Sequence, residues 1–399
     1  MFRKAILITV IIFIWQCVTL AQVKIRLFSG RNTGSILFKV IKGRYRLVDF
    51  KGDTSVLDAG HLLLLTRFGG KVSVKKLEEK GWLCDSVSFE GVTGKDSFTL
   101  RINGNDPLRQ NYTGSLECKS DLGTLLLVND CDIETYVAGV VKAEGGSGKF
   151  PEYFKAQAVI ARTFMYRNFK KHTSDGYNLC DNTHCQAYNG TASDSLINLA
   201  AAETNGQVIL GPDTALIISA FHSNCGGETS PSEFVWVTSQ PYLRKVNDPY
   251  CRSSQDATWQ KSFSLDAWIA CLKKNGFTGN ITDINDFNYS QPDRTTDYHA
   301  GAFSVPLRQI RSDLNLRSTF FSVKVTGDSV ILSGRGYGHG VGLCQEGAMT
   351  MASKGFGYRQ IIDFYYTGVT VTDIKNAVDR SDAQSIKQGP AEDKDQHYK

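Results

Sequence analysis

Residues 134–166, ETYVAGVVKAEGGSGKFPEYFKAQAVIARTFMY, decide how the chain is read. They predict two helices separated by a glycine-rich break. Asn129, Asp130 and Asp132 supply cap candidates and early negative charge for the first helix. Ile133, Val137, Val140 and Glu144 recur at helical spacing on one face. Glu144 thus continues an apolar stripe where a hydrophobe would be expected, and Gly145 and Gly146 end the helix. A carboxyl group on an apolar face loses hydration, which favours its neutral form, and the negative end of the helix dipole acts in the same direction. Glu144 is therefore a candidate general acid. The plain alternative is a solvent-exposed Glu in a fraying last turn.

Pro151 and Glu152 suit the first turn of the second helix. The run FKAQAVIARTFMY is apolar almost all round, which implies a buried helix. Arg162 is the one charge in its middle. A buried Arg needs a carboxylate, a polar ligand or carbonyls around it. It is either a structural ion pair or a group that orients Glu144 or holds substrate.

YVAGVVKAE (136–144) followed by FKAQAVIARTF (154–164) resembles the signature of the SpoIID/LytB family, sporulation stage II protein D and its relatives. THCQAYNG (183–190), AFHSNCGGET (220–229), PYLRKVND (241–248) and GRGYGHGVGLCQEGAMTMASKGFGYRQIIDFYYTG (334–368) agree in the family's order. The resemblance runs from about residue 95 to 372, and several ordered motifs make it far more specific than any one of them. It implies an α+β fold, with a β-rich N-terminal region followed by a mixed α/β catalytic core. It also implies a peptidoglycan lytic transglycosylase, or a partner of a cell-wall amidase. In that setting Glu144 is the acid and base, and Arg162 orients it or touches substrate.

The start of the chain, MFRKAILITVIIFIWQCVTLAQ, has two basic residues, an apolar run and a small residue before Gln22, the pattern of a secretory signal peptide cleaved after Ala21. The run is short for a membrane span. Trp15 and Gln16 precede Cys17 where a lipidation site wants small residues. No later segment reads as transmembrane. The expected division is 1–21 signal peptide, 22–120 β-rich region, 121–374 SpoIID-like domain and 375–399 polar disordered tail. In the β-rich region VKIRLF, SILFKVI, YRLVDF, LLLLTRF, KVSVKKL and LLLVND read as strands.

The 399 residues allow two or three domains, and 41% hydrophobic content is that of an ordinary globular chain. The net charge of +5 is mild and spread along the sequence. It does not argue for nucleic acid, and no nucleic-acid partner is expected, while it suits an anionic cell wall.

Ten cysteines are present, of which Cys17 falls in the leader. An odd remainder outside the cytoplasm leaves at least one unpaired, or assigns some to a metal. Cys84, Cys118, Cys131, Cys251 and Cys271 are disulfide candidates. HTSDGYNLCDNTHC (172–185) holds His172, Cys180, His184 and Cys185, two imidazoles and two thiols that could form a tetrahedral zinc site. Adjacent ligands such as His184 and Cys185 are less usual, and a disulfide from Cys180 to Cys185, or from either to Cys225, is the alternative. The family resemblance, in which some members hold zinc with two His and two Cys in the matching loop, implies a structural zinc here.

SNCGGET supplies small residues through which a backbone can approach a ligand. Cys225 near His222 could also suggest a thiol nucleophile. In the family this stretch lines the cleft, which makes His222, Ser223, Gly226 and Gly227 substrate-site residues. Trp236 and Tyr242 are candidates for stacking on sugars, although lone aromatics are more often core. The glycines at 334, 336, 338, 340 and 342 predict a backbone that cradles a ligand. His339, Gly340 and Gln345 join the substrate set, with His339 either a cleft group or a packed one. LCQEGAMTMA reads as a helix with Cys344 near its positive end, a position that lowers a thiol pKa; the family usually has Ser there.

The leading expectation is cleavage of the GlcNAc–MurNAc strand, peptide-stripped or intact, by one carboxylic acid, leaving 1,6-anhydro ends. The others are a non-catalytic glycan-binding enhancer of an amidase, and a zinc or thiol hydrolase built on the Cys–His loop.

Overall fold

The computed structural model describes residues 22–381 apart from 50, 53, 77–78, 104–107, 147–148, 237 and 280–283. The expected signal peptide lies outside the described residues. The fold is α+β, as the sequence implies.

Two sheets build the N-terminal part, antiparallel except where the edge strand Leu179–Cys180 runs parallel to Gln22–Leu27. The first has seven strands in the order Leu179–Cys180, Gln22–Leu27, Thr124–Asp132, Ser115–Asp121, Ser86–Gly91, Arg44–Asp49 and Thr54–Asp58. The second runs Arg109–Thr113, Ser97–Ile102, Ser35–Lys42, Leu62–Phe68, Lys71–Lys76 and Trp82–Cys84. Alternating residues such as Ile36, Phe38 and Val40 point inward, as a half-buried strand requires. The Phe38 ring stacks on Phe89 at 4.1 Å between centroids. All six predicted runs are strands. The expected boundary after residue 120 falls within a hairpin, because Ser115–Asp121 and Thr124–Asp132 pair in one sheet, with Leu116 opposite Asn129.

This sheet delivers the chain to the predicted helices. The strand Thr124–Asp132 runs straight into α1 (Ile133–Glu144), where Asp132 caps by accepting from the Thr135 amide at 3.0 Å. Asn129, another cap candidate, is buried in the strand and donates to the Thr113 and Ser115 carbonyls instead. Helix α2 (Pro151–Arg167) is buried on nearly every side, with Pro151 at its start. Helix α3 (Ser195–Glu203) packs against both. Helix α4 (Leu265–Lys274) begins after its cap Ser264, and it packs with α5 (Leu307–Asp313) on the sheet of Thr258–Ser264, Ser329–Arg335 and Phe321–Thr326. Trp268, Tyr298, Phe321 and Leu332 give this insertion its own core. Helices α6 (Gln345–Ser353) and α7 (Tyr358–Tyr365) return to α2. The last, α8 (Ile374–Ser381), occupies the start of the expected tail; residues 382–399 lie outside the described residues.

Gly139 shows how tightly α1 is seated. A Cβ there would lie 2.4 Å from Tyr188 Cε2 and 2.5 Å from the Gly190 carbonyl oxygen. Gly→Ala inside a helix normally stabilises by about 0.5–1 kcal/mol, but here overpacking, about 1–3 kcal/mol, wins. Gly139→Ala is expected to lower the thermal midpoint; a rise would contradict this packing.

Candidate active site

Glu144 closes α1. The Gly145 amide donates to the Val141 carbonyl at 2.7 Å, and Gly146 turns the chain at φ +71°. Ile133, Val137 and Val140 are buried on the expected face, and Glu144 is half-buried at its end. Neighbours fix its position from three sides. The Ala187 amide donates to Glu144 Oε1 at 2.7 Å. Gln345 Nε2 donates to the Glu144 carbonyl at 2.8 Å, and the Tyr153 hydroxyl donates to the Gly145 carbonyl at 2.9 Å.

The Glu144 carboxyl lines a cavity of about 110 Å³ whose wall includes Phe164 of α2, Thr183–Gln186, Ile218–Phe221, Trp236 and His339. That is well below the roughly 300–1,000 Å³ of a site enclosing a whole small molecule, so it suits one part of a longer ligand. Among the described lining residues Glu144 is the one carboxylate. Trp236 lies 5.9 Å from His339, ring to ring, and presents an aromatic wall. His339 accepts from the Val341 amide through Nδ1 at 3.0 Å, which sets Nε2–H to donate to the Phe221 carbonyl at 2.9 Å.

The Cys–His loop forms the opposite wall. The strand Leu179–Cys180 pairs in parallel with Gln22–Leu27, with Arg26 opposite Cys180, so the β-rich region holds one end of the loop. The donor atoms of His172, Cys180, His184 and Cys185 all lie within 4.8 Å of one another. Cys180 Sγ is 3.5 Å from His184 Nδ1, and Cys185 Sγ is 3.5 Å from His172 Nε2. Bonds of about 2.3 Å to sulfur and 2.0–2.1 Å to nitrogen in a tetrahedron put neighbouring S and N roughly 3.5 Å apart. The donor set and spacing fit zinc, and the unfavourable adjacency of His184 and Cys185 is met by the tight turn. With Cys180 and Cys185 unpaired, the disulfide alternative is not what the structure adopts.

Several expected site residues stand elsewhere. Arg162 is fully buried and forms a two-pronged pair with Glu134, Nε to Oε1 at 2.9 Å and Nη2 to Oε2. It also donates to the Gln207, Ala201 and Ala158 carbonyls. These contacts use its guanidinium to bind α1, α2 and α3 together rather than to reach Glu144. Tyr242 is buried behind the wall, its hydroxyl accepting from the Ile218 amide at 3.0 Å. His222 is buried too, its ring tilted against His339 at 5.5 Å between centroids; Nδ1–H donates to the Val341 carbonyl at 3.1 Å, and burial pushes the imidazole well below its usual pKa. Ser223 donates to Asp256 at 3.2 Å. Gln345 keeps a role at the site, through the Glu144 backbone.

The glycine run packs closely against protein. A Cβ at Gly342 (φ +72°) would lie 2.1 Å from the Ala220 carbonyl oxygen, and one at Gly340 would strike the Arg294 guanidinium. A Cβ at Gly226 would lie 2.6 Å from Arg335 Cβ, and one at Gly227 3.1 Å from Arg252 Nε. These glycines let the HSNC and GYGHG segments lie backbone to backbone, with the Asn224 and Tyr337 amides and carbonyls paired at 3.0 and 2.8 Å. Cys225 is fully buried, which rules it out as an accessible nucleophile. Burial, followed by its neighbours Cys225 and Cys251, pushes the Cys344 thiol well above its usual pKa, opposite to the effect expected of a helix N-terminus. Cys84, Cys118, Cys131, Cys251 and Cys271 are buried and form no disulfide.

Two contributors escaped the sequence. The Ala187 backbone amide carries no side-chain signal. Gln186 lines the cavity, accepts from Tyr136 at 3.2 Å and leaves Nε2 without a partner among the described residues; its signal was THCQAYNG, where only His and Cys drew notice.

The family model described as stage II sporulation protein, SpoIID, matches residues 121–210. An uncharacterised protein of Brachyspira hyodysenteriae is 30% identical over 84% of this chain and 89% of its own length. Stage II sporulation protein D of Bacillus amyloliquefaciens is 31% identical over 62% of this chain and 76% of its own. The amidase enhancer of Bacillus subtilis is 30% identical over 59% of this chain, which spans 40% of that longer protein.

Proposed function

The chain belongs to the SpoIID family, and from that membership we propose that it works on the cell wall outside the cytoplasm, as a lytic transglycosylase of peptidoglycan glycan strands. The observation that carries this reading is Glu144: one carboxyl, pinned at the end of a buried helix, in a cavity with no second carboxylate among its described lining. Water-using glycosidases need two carboxyl groups, about 5–5.5 Å or 6.5–9.5 Å apart. Two acids of the adjoining motifs are engaged elsewhere, Glu228 with Lys245 at 2.8 Å and Glu346 with Asn224.

One acid suffices when the nucleophile belongs to the substrate. Glu144 gives its proton to the glycosidic oxygen as the bond to the MurNAc anomeric carbon breaks. The resulting carboxylate takes the proton of the muramoyl 6-hydroxyl as that oxygen bonds to the same carbon. The acid is restored, a 1,6-anhydro ring is formed, and no water is consumed. The Ala187 amide and the Gln345 amide hold Glu144 in place for both transfers. Trp236 supplies a face on which a sugar ring can lie.

In this reading His172, Cys180, His184 and Cys185 hold a structural zinc, whose four protein ligands leave no open position. It fixes the loop that carries Ala187. The purified chain is expected to bind zinc there, and Cys185→Ser to lose one equivalent and melt at a lower temperature. Unchanged zinc content in that variant would contradict the assignment.

The relationship to an amidase enhancer supports a second reading, in which the cleft binds glycan and stimulates a separate amidase. Incubation of the purified chain alone with peptide-stripped sacculi separates the two. The first reading expects soluble anhydro-ended fragments; the second expects none without an amidase. No helix among the described residues is long and apolar enough to cross a membrane.

A further inference from the structure

Cys225, Asp248, Cys251 and Cys344 converge behind the cleft wall. They come from three separate segments, yet their donor atoms all lie within 4.8 Å of one another, and all four residues are fully buried. We propose that these four residues form a second metal site, distinct from the Cys–His loop, that holds a zinc-class divalent cation through three thiolates and one carboxylate.

The donor chemistry suits it, because soft thiolates with one oxygen select zinc over calcium or magnesium. Asp248 and Cys251 are separated by two residues, within the two-to-four spacing of paired structural ligands. Two backbone amides point at sulfurs: Gly227 N–H at Cys251 Sγ and Cys225 N–H at Cys344 Sγ, both at 3.3 Å. The remaining polar contacts resemble the outer shell that orients metal ligands. Asp248 Oδ2 accepts from the Tyr365 hydroxyl at 3.0 Å, and Oδ1 from the Tyr250 amide at 2.8 Å.

Asp248 points to the same conclusion independently. Buried carboxylates are paired with a cation or coordinate a metal, and no Lys or Arg among the described residues forms an ion pair with Asp248. The remaining negative charge has a counterweight in buried Arg294, whose Nη2 donates to the Cys225 carbonyl at 2.7 Å. Cys225 Sγ lies 3.2 Å from Asp248 Oδ2 and 3.3 Å from Cys251 Sγ. The second distance is far longer than a disulfide, about 2.05 Å, and a few tenths inside the roughly 3.7 Å edge of a zinc tetrahedron. A disulfide between any two of the three thiols would strand the third and the carboxyl.

The site has a place in the architecture. Cys344 is the N-cap residue just before α6, and the next residue, Gln345, holds the Glu144 backbone. Cys225 belongs to the HSNC segment that backs the wall. A metal here would lock α6 to that segment. The proposal does not rest on the glycan-cleavage reading.

The test counts zinc and thiols in the leaderless full chain, purified without chelator or reductant. Elemental analysis is expected to find two zinc per chain. Cys251→Ser and Asp248→Asn should each remove one equivalent, and Cys185→Ser should remove the other. Cobalt(II) loaded into folded Cys185→Ser, whose Cys–His loop is disabled, should still show sulfur-to-cobalt charge transfer, a readout that does not need the cluster variants to fold. Alkylation of the denatured wild type should modify all nine described cysteines. Zinc content unchanged by Cys251→Ser and Asp248→Asn, no cobalt–sulfur band in Cys185→Ser, or two thiols missing as a disulfide within the cluster would overturn it.

Discussion

Glu144→Gln is expected to abolish glycan cleavage, with rate lost by at least the roughly 10²–10⁴-fold that a positioned acid contributes. The amide has the same shape and its oxygen can still accept from the Ala187 amide. The fold and its thermal midpoint should therefore survive. What is lost is the proton, needed twice in the proposed reaction, once by the leaving oxygen and once in the return from the 6-hydroxyl. Release of soluble fragments from peptide-stripped sacculi, measured against a circular dichroism control, checks it. Full activity in the variant would remove Glu144 from the chemistry.

Arg162→Met is expected to have the largest effect on stability. Removing one partner of a buried pair strands the other, at a cost of about 3–5 kcal/mol, and here three carbonyls lose donors as well. Glu134 keeps some solvent contact, with 21% of its side chain exposed, which puts the cost toward the lower end. For a chain of 399 residues the thermal midpoint should fall by a few degrees, ~1 °C per kcal/mol at about 2.1 cal/mol/K of unfolding entropy per residue. The double variant Glu134→Met/Arg162→Met separates structure from catalysis. Replacing both members by apolar groups is often near neutral, so it should recover much of the stability and, with it, cleavage. A stable double variant that cannot cleave would return Arg162 to the catalytic set.

Where the sequence spoke through local chemistry, it was legible. Asp132 as cap, Gly145–Gly146 as stop and Pro151 as start are properties of a few adjacent residues, and they stand as expected. Strands without an apolar run were harder to see. Ser86–Gly91 and Ser115–Asp121 alternate Val, Phe or Leu with Ser, Glu and Lys, and their inner faces become evident only when paired.

The partner of a buried group was not legible at all. Arg162 demanded a carboxylate, and both Glu134 and Glu144 lay upstream on the same helix. Only the crossing of α1 and α2 decides between them, and it brings Glu134 to the guanidinium. The glycine run posed the same problem. Each position required close approach, but a sequence does not say whether the approaching atom belongs to a ligand or to Ala220 and Arg294. Asp248, inside PYLRKVND, carried no mark of its own. Its significance comes from three cysteines contributed by other segments or later turns.

Digestion of peptide-stripped sacculi in ¹⁸O-enriched water, followed by mass spectrometry of the released glycans, tests the central claim most directly. If Glu144 serves an internal 6-hydroxyl attack, the new ends are 1,6-anhydro sugars that contain no heavy oxygen. Reducing ends carrying one ¹⁸O would show that water is the nucleophile, and would contradict the account.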